Sequence, residues 1–497
     1  EKAGKTSYTT NTTWKLGQEE KKVHYNYEST EESKTETAVT DLITGKQQTI
    51  QRNLENGNET VKIGDNISWN ATQEEKQGKI SYKNGSYLLY TYDDNGNITR
   101  ISEKSDSNAA ESILATYTYD GMSQLLRENN RQANTTTIYS YDTNGNLTGS
   151  KVYPYTEGNI SGNPTTTHTW NYKNSDWRDL LTEYDGSTIT YDAGGNPLTY
   201  RNGSSLTWQG GRQLKQYEDS KQTVNYTYNG EGIRTKKTVT DKATGKTVTK
   251  NYYLDNSNIL AEKISGSDND RTIWYAYSGE GKLTGFTYDG ADYYYQRNLQ
   301  DDIIGIYDAS GKKVVSYTYD AWGKLTNLTD DSGKNLGEIN PFRYRGYYYD
   351  EDTSWYYLQS RYYDVEVGRF LNADDVHYLG EEGISCNLFT YCENTPVNRI
   401  DLDGYKHRFT IKRSTVATIF NKMISVLPYI GLASAFSPIK KAVQVDKGVA
   451  KAIEKYLPGL LKKILNNGKQ VVKCIANKIR KIPFIGNWAG KKIAMKI

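Results

Sequence analysis

The sequence predicts a mainly β protein that gives way near its C-terminus to a small, cationic, all-α domain. Three observations predict this. Tyr accounts for 44 of the 497 residues and Gly for 43, against 8 Phe, 3 Met and 9 Pro. That balance suits many short strands joined by Gly and Asn turns. A phrase of the form Tyr-x-Tyr-Asp, closed by Gly or Gly-Asn, recurs along the chain. After Gly404 the phrase stops, and Lys and helix formers take over.

The phrases share one grammar. They read "YTYDDNGNITR" (90–100), "YTYDGMSQLLRE" (117–128), "YSYDTNGNLTGS" (139–150), "ITYDAGGNPLTY" (189–200), "YTYNGEGIRTKK" (226–237), "FTYDGADYYYQR" (286–297) and "YTYDAWGKLTN" (317–327). Tyr-x-Tyr places two aromatics on one face of a strand, Asp or Asn opens a turn, and Gly supplies the positive φ of a tight hairpin. The first three Tyr-Asp pairs begin at Tyr92, Tyr119 and Tyr141, a hairpin's length apart. A hairpin of that size cannot bury its own face, so neighbours must lie side by side and join their Tyr rows. Almost no helix is expected over residues 80–370.

These are YD repeats, and the chain resembles the Rhs/YD-repeat family of polymorphic toxins. The phrases "YYYQRNLQDDIIGIYDASGKKVVSYTYDAWGKL" (293–325), "NPFRYRGYYYDEDTSWYYLQSRYYDVEVGRFLNADD" (340–375) and "NLFTYCENTPVNRIDLDG" (387–404) are similar to the family's core-associated region, in order and spacing. The resemblance covers residues of about 80 to 404. It implies a YD-repeat β-strand shell, a hollow cocoon, N-terminally truncated here over residues 1–325. Residues 326–404 would be the core-associated region closing the shell, and 405–497 the variable toxin. Residues 1–79 read as degenerate strands of the same shell. The chain begins at Glu1 without an initiator Met, and reads as a fragment of something longer.

Relatives that cut themselves use two aspartates in the manner of an aspartyl protease, where two nearby carboxyls share a proton and act as base and acid. The resemblance carries those roles to Asp374, in "NADD", and Asp401, in "RIDLDG", with the cut near Gly404 or Tyr405. The chain departs from the family at both places: Asp375 follows Asp374 and Leu402 follows Asp401, where many members have Pro. Asp375 and Asp403 therefore stand as competitors for the roles. Without the resemblance, acids in Asp-Gly turns read as turn formers. His377 reads as a loop residue, and His168 as a strand residue with no partner pattern. Cys386, Cys392 and Cys474 show no CxxC or Cys/His metal spacing and read as structural. No cofactor or metal is expected.

Charge divides the chain at the same point. Residues 405–497 carry 20 Lys plus Arg against Asp446 and Glu454, a charge of +18, while the first 404 residues carry 42 basic and 57 acidic side chains, −15. A segment so cationic needs an anionic partner, a lipid surface or a nucleic acid. "VATIFNKMISVLPYIGLASAF" (416–436) holds one charge, Lys422, and Pro428. It reads as a bilayer span or as a bent pair of short helices. Further on, Ile453, Leu460 and Ile464 share one helical face with Val449 and Tyr456, and Lys462 and Lys463 lie largely off it. "VVKCIANKIRKI" repeats the pattern, and Trp488 suits a membrane interface. Nuclease chemistry wants clustered His, Asp or Glu. The tail has one His, His407, and its two acids are far apart.

The expected function is that of a secreted or cell wall-associated bacterial toxin, whose shell encloses its own C-terminal domain and releases it. The tail would permeabilise the anionic membrane of a competitor, and a cognate immunity protein would guard the producer. The alternatives are a tail acting on nucleic acid and an adhesion or structural protein of the cell wall.

Overall fold

The computed structural model describes residues 6–405 and 407–409, apart from 17–18, 30–32, 41–46, 54–57, 75, 269, 279–280 and 376–385. The tail from residue 410 lies outside the described residues, and with it the expected all-α domain, including Ile453, Leu460, Lys462, Lys463, Ile464 and Trp488. Among the described residues no helix is long and apolar enough to cross a membrane, a statement that does not bear on strands.

The repeat grammar becomes structure through one loop. In "YDDNGN", Asp93 Oδ1 accepts the backbone N–H groups of Asn95 and Asn97, both at 2.8 Å, and Asp93 Oδ2 accepts the amide of Asn97 at 2.9 Å. Asp142 binds Asn144 and Asn146 in the same way, and Asp192 binds Gly194 and Asn196. An Asp that satisfies two backbone donors of its own turn holds the loop closed without help from the sheet. The third residue after the Asp always has positive φ: +82° at Gly96, +76° at Gly145 and +77° at Gly195. In "YDGMSQ" the Gly comes too early to serve. The left-handed residue is Ser123, φ +66°, rather than the expected Gly121, so this copy bears a backbone cost that Gly would remove.

The second Tyr of each phrase has a role that alternation alone does not show. Ladder register slips at Thr91/Tyr92, Thr118/Tyr119, Ser140/Tyr141, Thr227/Tyr228 and Thr318/Tyr319. Such bulges re-aim a side chain. The re-aimed hydroxyl donates to a carbonyl of the preceding repeat: Tyr119 to Ile98 O at 2.7 Å, Tyr141 to Leu125 O at 2.7 Å, Tyr228 to Leu214 O at 2.8 Å and Tyr319 to Ile303 O at 2.8 Å. Ile98, Leu125 and Ile303 each lie five residues after the residue that opens their loop, Asp93, Asp120 and Asn298. These four tyrosines therefore staple their repeats to the ones before. The first Tyr of the phrase, as at Tyr90, Tyr117, Tyr139 and Tyr226, is buried in the core.

Strands pair antiparallel in chain order. Sixteen described strands, Thr6–Leu16 through Ser187–Thr188, form one sheet, and fourteen, Thr190–Tyr191 through Leu325–Asp330, form a second. The strands before residue 80 belong to the first sheet. The sheets meet where Tyr82 Oη donates to Arg297 O (3.0 Å) and where the Ala321 N–H donates to Glu128 Oε1 (2.9 Å). Among the described residues, helix is confined to the single turn Leu336–Ile339 and a few 3-10 turns.

Residues 340–375 and 386–404 line the inner faces. Four short strands, Tyr348–Asp350, Trp355–Tyr357, Tyr362–Asp364 and Arg369–Phe370, make a small sheet whose side chains are almost all buried. Trp355 meets Tyr200 and Tyr217 edge to face, with centroids 5.6 and 5.3 Å apart. Asp350 bonds Arg234 and Lys237 of the second sheet, Asp364 takes two bonds from Arg201 at 2.7 and 3.1 Å, and Asp302 pairs with Arg345 at 3.0 Å. Cavities between these layers measure about 320 to 350 Å³.

Two outcomes follow from this packing. Replacing Tyr141 or Tyr228 by Phe removes one inter-repeat staple and costs about 1 kcal/mol of stability in urea unfolding, while Tyr253→Phe, at an exposed position, changes nothing measurable. Burial, with the nearby Asp320 carboxylate, pushes the Glu128 carboxyl well above its ordinary range. A raised folded pKa means that Glu128 contributes stability fully below the ordinary carboxylate range and loses that contribution as pH rises through the elevated value. Glu128→Gln should therefore leave Tm unchanged near pH 4 and raise it, relative to the parent, near pH 9.

Candidate active site

The small inner sheet carries the chain to the boundary. After strand Trp355–Tyr357 the chain turns through Gln359, φ +63°, and sets Arg361 at the start of the next strand. Strand Arg369–Phe370 then leads into Leu371–Asp375, which is pinned by the Asp374 N–H on Leu388 O at 2.9 Å. Strand Arg399–Asp401 pairs antiparallel with His407–Phe409, Asp401 opposite His407. Gly404 thus lies in the loop of a hairpin. Residues 407–409 of the tail are paired strand, where the sequence leads one to expect a helical domain; the open edge of Arg399–Asp401 supplies the backbone partners that select the strand.

Asp374 and Asp401, far apart in sequence, meet on one guanidinium. Arg361 Nη2 lies 3.0 Å from Asp374 Oδ2 and 3.5 Å from Asp401 Oδ2. The same side chain donates from Nη1 to Leu388 O at 3.0 Å and from Nε to the carbonyl of Gly404, and its face lies 3.5 Å from the centroid of Phe370. The side chains of Arg361 and Asp401 are each 3% exposed and that of Asp374 is 13% exposed. At such burial a lone charge is prohibitive, so the three form a unit. Burial pushes the Asp374 carboxyl up, against the opposing pull of Arg361 and Arg212. Burial likewise lowers Arg361, against the carboxylates that favour its charge.

The candidate cut site is held in the same cluster. Asp401 Oδ1 accepts the Gly404 N–H at 2.9 Å, and the Asp401 N–H donates to Tyr347 Oη at 3.0 Å. Asp403 O accepts from Ser360 Oγ at 2.7 Å, and Asp403 Oδ1 accepts the Tyr405 N–H at 3.1 Å. Gly404 has φ +77°, and a Cβ there would fall 2.6 Å from Ser360 Oγ and 2.8 Å from Leu358 O, so only Gly brings this backbone so close. A guanidinium on a peptide carbonyl, flanked by two carboxyls, can polarise that carbonyl while the carboxyls exchange protons with water.

The competing acids are placed differently. Asp375 Oδ2 faces Arg212 Nη1 at 3.7 Å, and Asp403 serves its own turn. His377 lies outside the described residues. His168 does have a partner, Asp185 Oδ2 at 2.6 Å from Nδ1, across a short hairpin that its strand spacing does not reveal. Cys392 is a buried free thiol. Among the described residues no three His, Cys, Asp or Glu side chains gather to hold a metal. Sequence reasoning missed Arg361 and Arg212. The available signal for Arg361 was the run "SRYYDVEVGRF" (360–370), since Arg inside a strand-rich core must be paired, whereas Arg212, in a repeat loop, carried no such signal.

Antiparallel sheets built of YD hairpins, packed on an aromatic inner segment, are the architecture of a YD shell. The chain belongs to the teneurin YD-shell family, whose model matches residues 41–397, and the resemblance to Rhs/YD-repeat proteins holds. It is similar to the tRNA3(Ser)-specific nuclease WapA of Bacillus spizizenii, 33% identical over 291 residues, 58% of this chain and 12% of that protein. The tRNA nuclease WapA of Bacillus subtilis matches over the same length at the same identity. Salivary gland surface protein 1 of Aedes aegypti is 28% identical over 226 residues, 44% of this chain and 6% of that protein. Among solved structures, TcdB2-TccC3 without its hypervariable C-terminal region superposes with a TM-score of 0.59 at 18% identity, covering 80% of this chain and 23% of that one. At that identity the likeness is one of fold. The chain spans about an eighth of the nucleases it matches.

Proposed function

We propose that this chain is the closing end of a toxin-delivery shell that cuts itself at Gly404–Tyr405 and frees its cationic tail. The observation that carries the reading is the convergence of Asp374, Asp401 and the Gly404 carbonyl on Arg361. Asp374 is the base that takes a proton from water. The water oxygen adds to the Gly404 carbonyl carbon while Arg361 steadies the developing oxyanion. The C–N bond then breaks with a proton passing to the Tyr405 nitrogen, Asp401 serving as acid, and leaves a Gly404 carboxylate and a Tyr405 amine. In this reading residues 1–325 are shell, 326–404 its closing region and 405–497 the cargo. The protein is secreted or surface-held by a bacterium, and an immunity protein protects the producer.

Self-cleavage has a direct outcome. Full-length protein should release a fragment of 93 residues that begins at Tyr405, while Asp374→Asn and Asp401→Asn should each remain whole, as judged by mass and N-terminal sequence. Release that is unaffected by both substitutions would remove the carboxyl pair from the mechanism.

Two targets fit the tail. Its charge of +18 and its apolar stripe through Ile453, Leu460 and Ile464, beside Lys462 and Lys463, favour insertion into an anionic bilayer. The nuclease names of the Bacillus relatives favour nucleic acid as the second reading. Expressed residues 405–497 should release dye from anionic liposomes and leave tRNA intact, and replacing Leu460 and Ile464 by Asp should abolish the leakage. Cleavage of tRNA with sealed liposomes would select the nuclease.

A further inference from the structure

Arg212 belongs to the repeat body, yet it reaches the boundary. It follows Gly210 and Gly211, both at positive φ (+56° and +83°), at the head of strand Gln213–Glu218. Gly211 O accepts the amide of Asn196 from the neighbouring YD loop at 2.7 Å. Gly195 O, in that same loop, accepts the Ala373 N–H at 3.3 Å. Two repeat loops thus cradle residues 373–375. Arg212 Nη2 donates to Ala373 O at 2.9 Å and lies 3.6 Å from Asp374 Oδ1; Nη1 is 3.7 Å from Asp375 Oδ2; the guanidinium lies over the ring of Tyr405 at 5.8 Å.

We propose that Arg212 is a positioning residue that makes the cut conditional on a folded repeat body, by holding Asp374 against Arg361 and Tyr405 at the exit. This rests on the reading of Asp374 and Asp401 as the cutting pair. The two guanidiniums take opposite oxygens of Asp374, Arg361 on Oδ2 and Arg212 on Oδ1. The charged groups around this carboxyl are Arg361, Arg212 and Asp375, with Asp401 and Asp403 reaching it through their field on Arg361. Arg361 and the boundary strands lie in the inner segment, and Arg212 arrives only when the loops at 192–196 and 209–213 have closed. An unfolded or misdocked body therefore leaves Asp374 half-neutralised and the cargo attached.

The test compares full-length protein with Arg212→Gln and Arg212→Lys, following the rate of self-cleavage from pH 4 to pH 8. Loss of a nearby positive charge makes Asp374 harder to ionise, so in Arg212→Gln the acid limb should move up by about one pH unit, a tenfold loss of rate on that limb. Arg212→Lys should bring the limb back toward the parent. A profile that is unchanged, or lowered equally at every pH, would overturn the inference and leave the cutting pair standing. A second measurement does not depend on cleavage: the Asp374 carboxyl is titrated by 13C NMR in aspartate-labelled chains, with its signal identified by comparison with Asp374→Asn. Its midpoint should rise in Arg212→Gln. An unchanged midpoint overturns the inference even in a chain that never cuts. Cleavage of Asp374→Asn alongside a shifted midpoint would instead defeat the cutting pair and keep the hold of Arg212.

Discussion

Everything in this protein depends on the bond from the YD tyrosine to the repeat before it. A hairpin in isolation is marginal, and a sheet of fourteen or sixteen strands has nothing in its ladder that sets how one hairpin sits on the next beyond register. The Asp loop closes each hairpin on itself, and the bulge beside it turns the Tyr hydroxyl back to a carbonyl five residues past the previous loop opener. The staple makes stability a nearest-neighbour property. It also tolerates variation, because the strand between two staples can lengthen or lose its aromatic rhythm while loop and hydroxyl persist.

The inner segment is held by a different kind of force. Asp350 is fully buried, and burial alone would raise its carboxyl, yet Arg234 and Lys237 hold it at about 2. Five tyrosines surround Arg234, the nearest ring, Tyr357, 4.2 Å from the guanidinium carbon. Ion pairs of this kind contribute little net stability over apolar packing, but removing one partner is very costly. The pairing of Asp350 with Arg234 and Lys237 ties the inner segment to one position among similar Tyr rows. Asp364 with Arg201 and Asp302 with Arg345 repeat the device around the segment. The position of Arg361, and with it the boundary cluster, is inherited from that docking.

The boundary is built from leftovers of both systems. Its acids come from the inner segment and one of its two arginines comes from a repeat loop, so the site exists only when sheet and filling have met. The Gly404 hairpin lies under the same guanidinium, which sets its carbonyl beside the paired carboxyls of Asp374 and Asp401.

The sequence by itself determined the strands, the loops and the point of change. Tyr-x-Tyr, Asp and Gly act within a few residues of one another, and local chemistry of that kind is legible in a string: "YDTNGN" could hardly do other than form the loop at Asp142. It also nominated Asp374 and Asp401, though only through likeness to a family, since nothing in the 26 residues between them says that two acids will meet. Tertiary structure alone decided that they do, through Arg361, and that Arg212 joins them from the repeat body. It moved the left-handed position from Gly121 to Ser123, gave His168 its partner and showed the second Tyr as a staple, because bulges and long-range bonds depend on which strand lies alongside. The physical reason is one of range: turns are set by backbone preference over four or five residues, whereas a buried charge is tolerable only beside a partner that the fold must bring to it.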